Sequence, residues 1–425
     1  MIDKNFAGKG RVALLRARPE TVLDDYRRLL KLAEYEKALP KDRETLVKIN
    51  LSWQQWYPAC STAPWQLEGV VRTLLEDGYR NLLAAHNRTV VVDAYVGEYN
   101  NKQKLVVDKY GLRNVHLYEP EVEWIYYQPK TPMLVLDKVY PEGIKIPGLF
   151  LDKNIVQLPT VKTHVFTTIT GAMKNAFGGL LSERRHWTHA VIHETVVDLL
   201  AIQQEIHTGL FAVMDGTFVG DGPGPRAMWV QEKDLILASA DQVAIDAVSA
   251  YLQGFEPMEL QFIRLGHERG LGIGDIKQIE LVGDVDPDEV RWHARTGDTL
   301  ASRGQKMIYH GPLKPFERAL LRTPIVPWSY TASRAYYDGL WYPFVGQKRV
   351  QAALETKWGR LFAGYGNIRA TTKPLYEPKT AAVAGLLGIA ASALAVWWLL
   401  NKSKKFFVGY ERKLWSRVES CKKGV

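Results

Sequence analysis

The sequence predicts an α/β protein: a largely parallel sheet body, then an aromatic-rich extension, then one C-terminal transmembrane helix. Three observations carry this. Strand-length apolar runs alternate with helix-periodic segments as far as about residue 300. Residues 301–379 change to a texture of aromatic and basic side chains. Thr380–Leu400 then runs 21 residues without a charge. The chain accordingly divides into a body (1–300), an aromatic and basic extension (301–379), a membrane helix (380–400) and a basic amphipathic tail (401–425).

In the body, Arg11–Leu15 is a short apolar run, and Thr21–Ala38 has helical periodicity. Thr45–Leu51 (TLVKINL) reads as a buried strand. Pro64–Asp77 reads as a helix with proline near its start and Gly78 as its stop. Asn81–Ala85, Thr89–Val92, Met133–Leu136 and Asn154–Leu158 are strand-like. Thr195–Ile206 is helical, and Leu210–Asp215 and Asp234–Ala238 are strands. Gln242–Gln253 and Glu259–Arg269 are helices, and Ile279–Val282 closes the series as a strand.

The 425 residues are 46% hydrophobic and 24% charged, an ordinary globular composition that excludes disorder as the main state. Two cysteines, Cys60 and Cys421, exclude a disulfide scaffold, a four-cysteine zinc site and a self-contained iron–sulfur cluster. Of the net charge of +9, residues 401–425 carry +6. A nucleic-acid binder carries its basic patch on the folded body. Here the charge follows an apolar segment, which points to an anionic membrane surface and away from nucleic acid.

Thr380–Leu400 makes a helix of roughly 31 Å, matching a bilayer core of about 30 Å. Trp397 and Trp398 fall where an aromatic belt is expected, and Lys402, Lys404 and Lys405 follow. Phe406, Phe407, Tyr410, Leu414, Trp415 and Val418 recur at near-helical spacing among basic residues, which fits an interfacial helix. Met1–Tyr35 shows no signal peptide, because Arg11, Arg16 and Arg18 interrupt it. The expectation is a single-pass C-terminal anchor with a cytoplasmic body, the orientation of the span remaining open. In residues 328–365, ten aromatics alternate with Arg334, Lys348, Arg349, Lys357 and Arg360. That stretch reads either as a surface for a membrane or partner subunit, or as a helical extension packed on the body.

Chemistry-bearing residues concentrate in Leu158–His193. His164 and Lys174 are the candidate catalytic pair: histidine moves protons, and lysine anchors an anion or serves as a covalent handle. Both follow strands, where open α/β sheets place ligands. Asn50, Lys162, Asn175, Asp215, Gly222, Gly224 and Asp246 are the candidate ligand-binding residues. Gly222 and Gly224 belong to the Met214–Arg226 segment MDGTFVGDGPGPR, which lacks the spacing of a phosphate-binding loop. His189 and His193, four apart, would share one helical face and are the candidate metal ligands. Asp241 suits an N-terminal cap.

The blocks PTVKTH, TGAMKNAFGG, VMDG, DGPGP, ASADQVAIDAVSA and GLGIGDI, in that order after KINLSW, resemble the domain-of-unknown-function 362 family over roughly Arg11–Asp284. That family implies a fold more than an activity. It is often joined to a ferredoxin module, which this chain lacks. More locally, His164 ten residues before Lys174 resembles the nickel-pincer lactate racemases. There the lysine holds the cofactor covalently, and a histidine near the position of His189 ligates nickel. His86 and His116 are the candidates for that family's second acid/base. The resulting expectation is a membrane-anchored enzyme acting on a small carboxylate-bearing anion by proton or hydride transfer. The alternative is a non-catalytic accessory subunit of a membrane complex.

Overall fold

The structure, a computed structural model, describes residues 5–87, 91–323 and 326–366. The expected transmembrane helix and basic tail lie outside the described residues. Among the described residues no helix is long and apolar enough to cross a membrane.

Twelve strands are described: β1 (Arg11–Arg16), β2 (Thr45–Ile49), β3 (Leu82–His86), β4 (Arg113–His116), β5 (Trp124–Tyr127), β6 (Ile144–Pro147), β7 (Lys153–Leu158), β8 (Thr160–His164), β9 (Thr168–Ile169), β10 (His207–Asp221), β11 (Trp229–Ser239) and β12 (Glu280–Gly283). The main sheet has the order β12-β1-β11-β10-β7-β2-β3-β4, with β8 and β9 branching from β10. From β10 to β4 every neighbouring pair is parallel, while β11 is antiparallel to both β1 and β10. The body is therefore a mixed α/β fold with a large, mainly parallel sheet.

Alternation along the strands builds two cores. Val12, Leu14, Leu46, Leu83 and Ala85 face the helices Ile192–Ile206 and Gln242–Leu252. Ala13, Leu15, Val47, Ile49 and Ala84 face the helices Val22–Leu32 and Pro64–Glu76. A period of two buries a strand on both faces only when both sets of residues are apolar, and these strands meet that condition.

The extension packs on the second core. Trp53 meets Tyr337, Trp341 and Tyr342, Trp56 stacks on Phe362 at 3.9 Å, and Trp65 lies 5.4 Å from Trp358. Asp338 accepts hydrogen bonds from Trp53 Nε1 (2.7 Å) and Gln54 Nε2 (2.9 Å). Residues Ala335–Gly346 form a π-helix around Pro343, a widened winding that recurs at functional sites. Leu340 and Phe344 stay exposed on its outer side.

Several elements differ from expectation. Met133–Leu136 is not a strand; the chain enters a short helix at Leu136–Val139, pinned by Asp198, which accepts the N–H groups of Leu134, Val135 and Leu136. Of Thr89–Val92, residues 89–90 lie outside the described residues, and Val91 and Val92 are not in a strand. Asp215 does not end its strand: β10 runs on to Asp221 through an irregularity between Gly216 and Phe218. Lys162 and His164 lie within β8 rather than in a loop, because β8 pairs with this continuation of β10.

Candidate functional site

At the C-terminal ends of β2, β3 and β8 lies a cavity of about 580 Å³. This is the edge where parallel α/β sheets present ligand sites. Its floor comes from Lys48, Asn50, Asn87, His164, Lys174, Asn175, Arg185, His189 and Arg226. Its roof comes from the extension, including Leu300, Tyr309, Trp328, Tyr336 and Tyr337. The lining contains four cationic side chains, Lys48, Lys174, Arg185 and Arg226, and no Asp or Glu among its described residues. Burial, together with nearby Arg185, pushes the ammonium of Lys48 down to about 7. Lys174 is likewise pushed to about 7, first by burial and then by Lys162 and Arg185. Its described partner is a ring, Phe177, 5.3 Å from Nζ. Two polar atoms of the lining residues, Asn50 Nδ2 and Thr170 Oγ1, are buried without a hydrogen-bond partner.

Of the three histidines that line the cavity, His164 and His189 hold opposite tautomers, and His186 donates from Nε2 to the carbonyl of Leu321 at 2.8 Å. His164 Nδ1 accepts the backbone N–H groups of Phe166 (3.2 Å) and Thr167 (3.4 Å). Nδ1 is therefore an acceptor, and the neutral ring carries its proton on Nε2. Burial, then Lys174 and His189, hold His164 well below the ordinary histidine value. His189 Nδ1 faces the carbonyl of His186 at 3.2 Å and donates to it. Its Nε2 then carries a lone pair. The ring stacks on Tyr309 at 5.5 Å, and burial followed by Lys174 lowers it to about 3. One imidazole thus offers a donor and the other an acceptor on the same cavity wall.

Two conditions place the lysine-bearing helix Gly171–Asn175. Asp246 accepts from the N–H groups of Ala172 (2.5 Å) and Met173 (3.0 Å), and Gly171 turns at φ +79. Burial raises Asp246 to about 8. Asp246 thus positions the loop from behind and does not line the cavity.

The remaining candidates separate. His164, Lys174, Asn50, Asn175, Gly224 and His189 meet at the cavity. Asn175 Nδ2 is committed to Gln157 Oε1 (2.8 Å) and Lys48 O (3.2 Å). Lys162 lies beneath, donating to Cys60 O and Thr160 Oγ1, and burial depresses it to about 8. Asp215 is a buried brace: Tyr26 Oη (2.6 Å), Trp65 Nε1 (2.9 Å) and Thr217 donate to it, tying two helices to β10. Gly222 donates its N–H to Arg295 O and accepts from Thr163 Oγ1, so its backbone holds the hairpin. His193 does not line the cavity and packs 6.1 Å from Phe262. His189 belongs to the 3-10 segment Glu183–Val191 and His193 to the α-helix after it, so they do not share one face of a continuous α-helix. Asp241 caps its helix through Val243 and Ala244.

Sequence reasoning passed over Lys48, Arg185 and Arg226. Lys48 carried a readable signal, an ionisable residue inside the otherwise apolar TLVKI of a buried strand. Arg185 stands next to Arg184, which is exposed, yet it is itself 6% exposed.

Residues 45–251 match the family described as Domain of unknown function (DUF362). No curated protein and no solved structure matches the chain. The matched range contains the floor from Lys48 to Arg226 and stops short of the roof.

Proposed function

The chain carries a DUF362 domain over residues 45–251, and from that premise we propose that it is an enzyme of proton transfer acting on a small carboxylate-bearing anion. One observation carries the reading: four basic side chains, and no carboxylate among the described residues, line a half-open cavity of ligand size. Burial disfavours the charged forms of Lys48 and Lys174, and an anion bound beside them restores those forms. Lys174 and Lys48 hold the carboxylate. Asn50 Nδ2 and Thr170 Oγ1 offer hydrogen bonds at its edge. His189 Nε2 accepts a proton, and His164 Nε2–H donates to the oxygen where charge develops. An anion against Lys174 removes the second cause that depresses both imidazoles and leaves burial as the first.

The fit to a nickel-pincer group is partial. Lys174 and His189 both line the cavity and would hold such a group by a covalent bond and a nickel bond. His86 and His116 lie outside the lining. When bound, the group would supply hydride acceptance. The charge-free segment Thr380–Leu400 and the basic residues after it support a membrane-anchored enzyme.

The test is α-hydrogen exchange in D2O, followed by NMR, across a panel of small 2-hydroxy and 2-oxo carboxylates, with intact mass and metal content of the purified chain. Carboxylate-dependent exchange lost in Lys174→Met is expected. A chain that neither binds nor exchanges any carboxylate refutes the reading, and an unmodified mass without nickel refutes the pincer version alone.

A further inference from the structure

A second cluster lies at the sheet edge, apart from the cavity. His86 ends β3 and His116 ends β4, and the two are direct partners in the parallel register. Parallel pairing puts both imidazoles on one face, with ring centroids 4.4 Å apart. Alternation along β3 places His86 on the face of Ala84, opposite Leu83 and Ala85. The helix Ala94–Asn100 lays Glu98 onto this pair.

Glu98 Oε2 is 3.0 Å from His86 Nε2 and 3.3 Å from His116 Nε2. Among the described residues, these three side chains have donor atoms that all lie within 4.8 Å of one another. A tetrahedral cation bonded at about 2.0–2.2 Å spaces its ligand atoms about 3.4 Å apart, close to what is seen.

The hydrogen bonding inside the cluster is incomplete. Asn114 Nδ2 already donates to Glu98 Oε2 at 2.7 Å, and His86 Nε2 contacts the same oxygen. His116 Nε2, aimed at that oxygen, has no hydrogen-bond partner and is buried. The carboxylate is 3% exposed, and its described ion-pair partners are the two imidazoles alone. The result is a buried carboxylate facing an imidazole nitrogen that has no hydrogen-bond partner, an arrangement that a divalent cation completes.

We propose that His86, Glu98 and His116 form a three-ligand site for a divalent first-row cation of the zinc class, completed by solvent. Two imidazoles and one carboxylate make a borderline donor set, suited to zinc and unsuited to soft cations. Asn114 is the outer partner that orients the carboxylate. The bound cation clips the β3–β4 edge to the helix Ala94–Asn100. It thereby brackets the chain from His86 to Glu98, which brings Asn87 and Val91 to the cavity wall. This site uses none of the proposed proton-transfer residues and stands or falls separately from them.

The probes are Co2+ and Zn2+ alone, titrated into the full chain after chelator treatment. One equivalent of Co2+ should give the visible absorption of a low-coordinate site, and Zn2+ should displace it. X-ray absorption on the zinc-loaded wild type should count two imidazoles and one carboxylate. His116→Gln, the least buried change, should weaken binding more than about 100-fold, and Asn114→Ala about 10–100-fold. His189→Gln should leave the spectrum unchanged. A wild-type chain that takes up neither cation overturns the proposal. So does a bound metal whose ligand count differs, or a spectrum abolished by His189→Gln.

Discussion

Replacing Lys48 by methionine should make the protein more stable at neutral pH and poorer at holding an anion. Lys48 is 2% exposed, and its Nζ donates to Ile49 O at 2.7 Å. Burial sets it at about 7 in the fold against 10.5 in a free lysine. Between those values the native state binds fewer protons than the unfolded chain, so stability rises with pH through the window. The penalty is nearly complete below pH 7 and fades towards pH 10.5. At about 1.36 kcal/mol per pH unit, the penalty is roughly 4 kcal/mol at pH 7 and about 1 kcal/mol at pH 10. Losing the hydrogen bond to Ile49 offsets about 1 kcal/mol. Lys48→Met should therefore gain roughly 3 kcal/mol at pH 7 and almost nothing at pH 10, read from urea unfolding at both. Carboxylate affinity, measured by calorimetry on the same samples, should fall at least about tenfold. A gain of equal size at both pH values, or a loss at both, would refute the argument that a buried charge is held there for a ligand.

Three further outcomes are expected. Gly171→Ala would bring a Cβ within 2.4 Å of the Asp246 carboxylate at a positive φ, so it should cost roughly 2–4 kcal/mol and abolish carboxylate binding; a melting temperature and affinity matching wild type would contradict the placement of the lysine helix. His164→Gln should keep carboxylate affinity within about threefold while exchange falls about 100-fold or more, whereas His189→Gln should remove the acidic limb of the pH profile of exchange; equal binding losses in both would point to scaffolding instead. Deleting residues 380–425 should leave a folded body that no longer sediments with membranes, and persistence in the pellet after a high-salt wash would move the anchor to the exposed Leu340 and Phe344.

The layered α/β body was legible because β2 and β7 are short buried runs, the second half of β11 holds another in Asp234–Ala238, and the helix Pro64–Glu76 carries its own start and stop signals. His164 and Lys174 were legible because reactive residues after a strand have few other places to go. Asp215 looked like a site residue because a strand seemed to stop there. Only tertiary contact shows Tyr26 and Trp65 arriving from helices far away in the chain to saturate it. The His86–Glu98–His116 cluster was hidden for the same reason. Its members are joined by strand register and a helix, not by a spacing along the chain. Arg185 was unreadable because the fold buries it beside Arg184, which stays exposed, and nothing in the sequence separates the two.

The cavity's two walls come from stretches of sequence with different constraints. Under the proposed function, the floor must keep basic side chains, imidazoles and their backing carboxylate in register, and any drift there would cost reactivity. The roof, built from Leu300, Met307, Tyr309, Leu313, Trp328 and Tyr336, contributes shape and a dry surface but no charge. Apart from Tyr309, which stacks on His189 and donates to the His186 carbonyl, its residues can change size without disturbing the tautomers below. A chain of this design can therefore acquire a new substrate by remodelling its C-terminal third alone. Exchanging residues 300–337 between members of the family that carry a comparable extension should transfer selectivity for the substrate's side chain, while the rate per bound molecule stays with the floor.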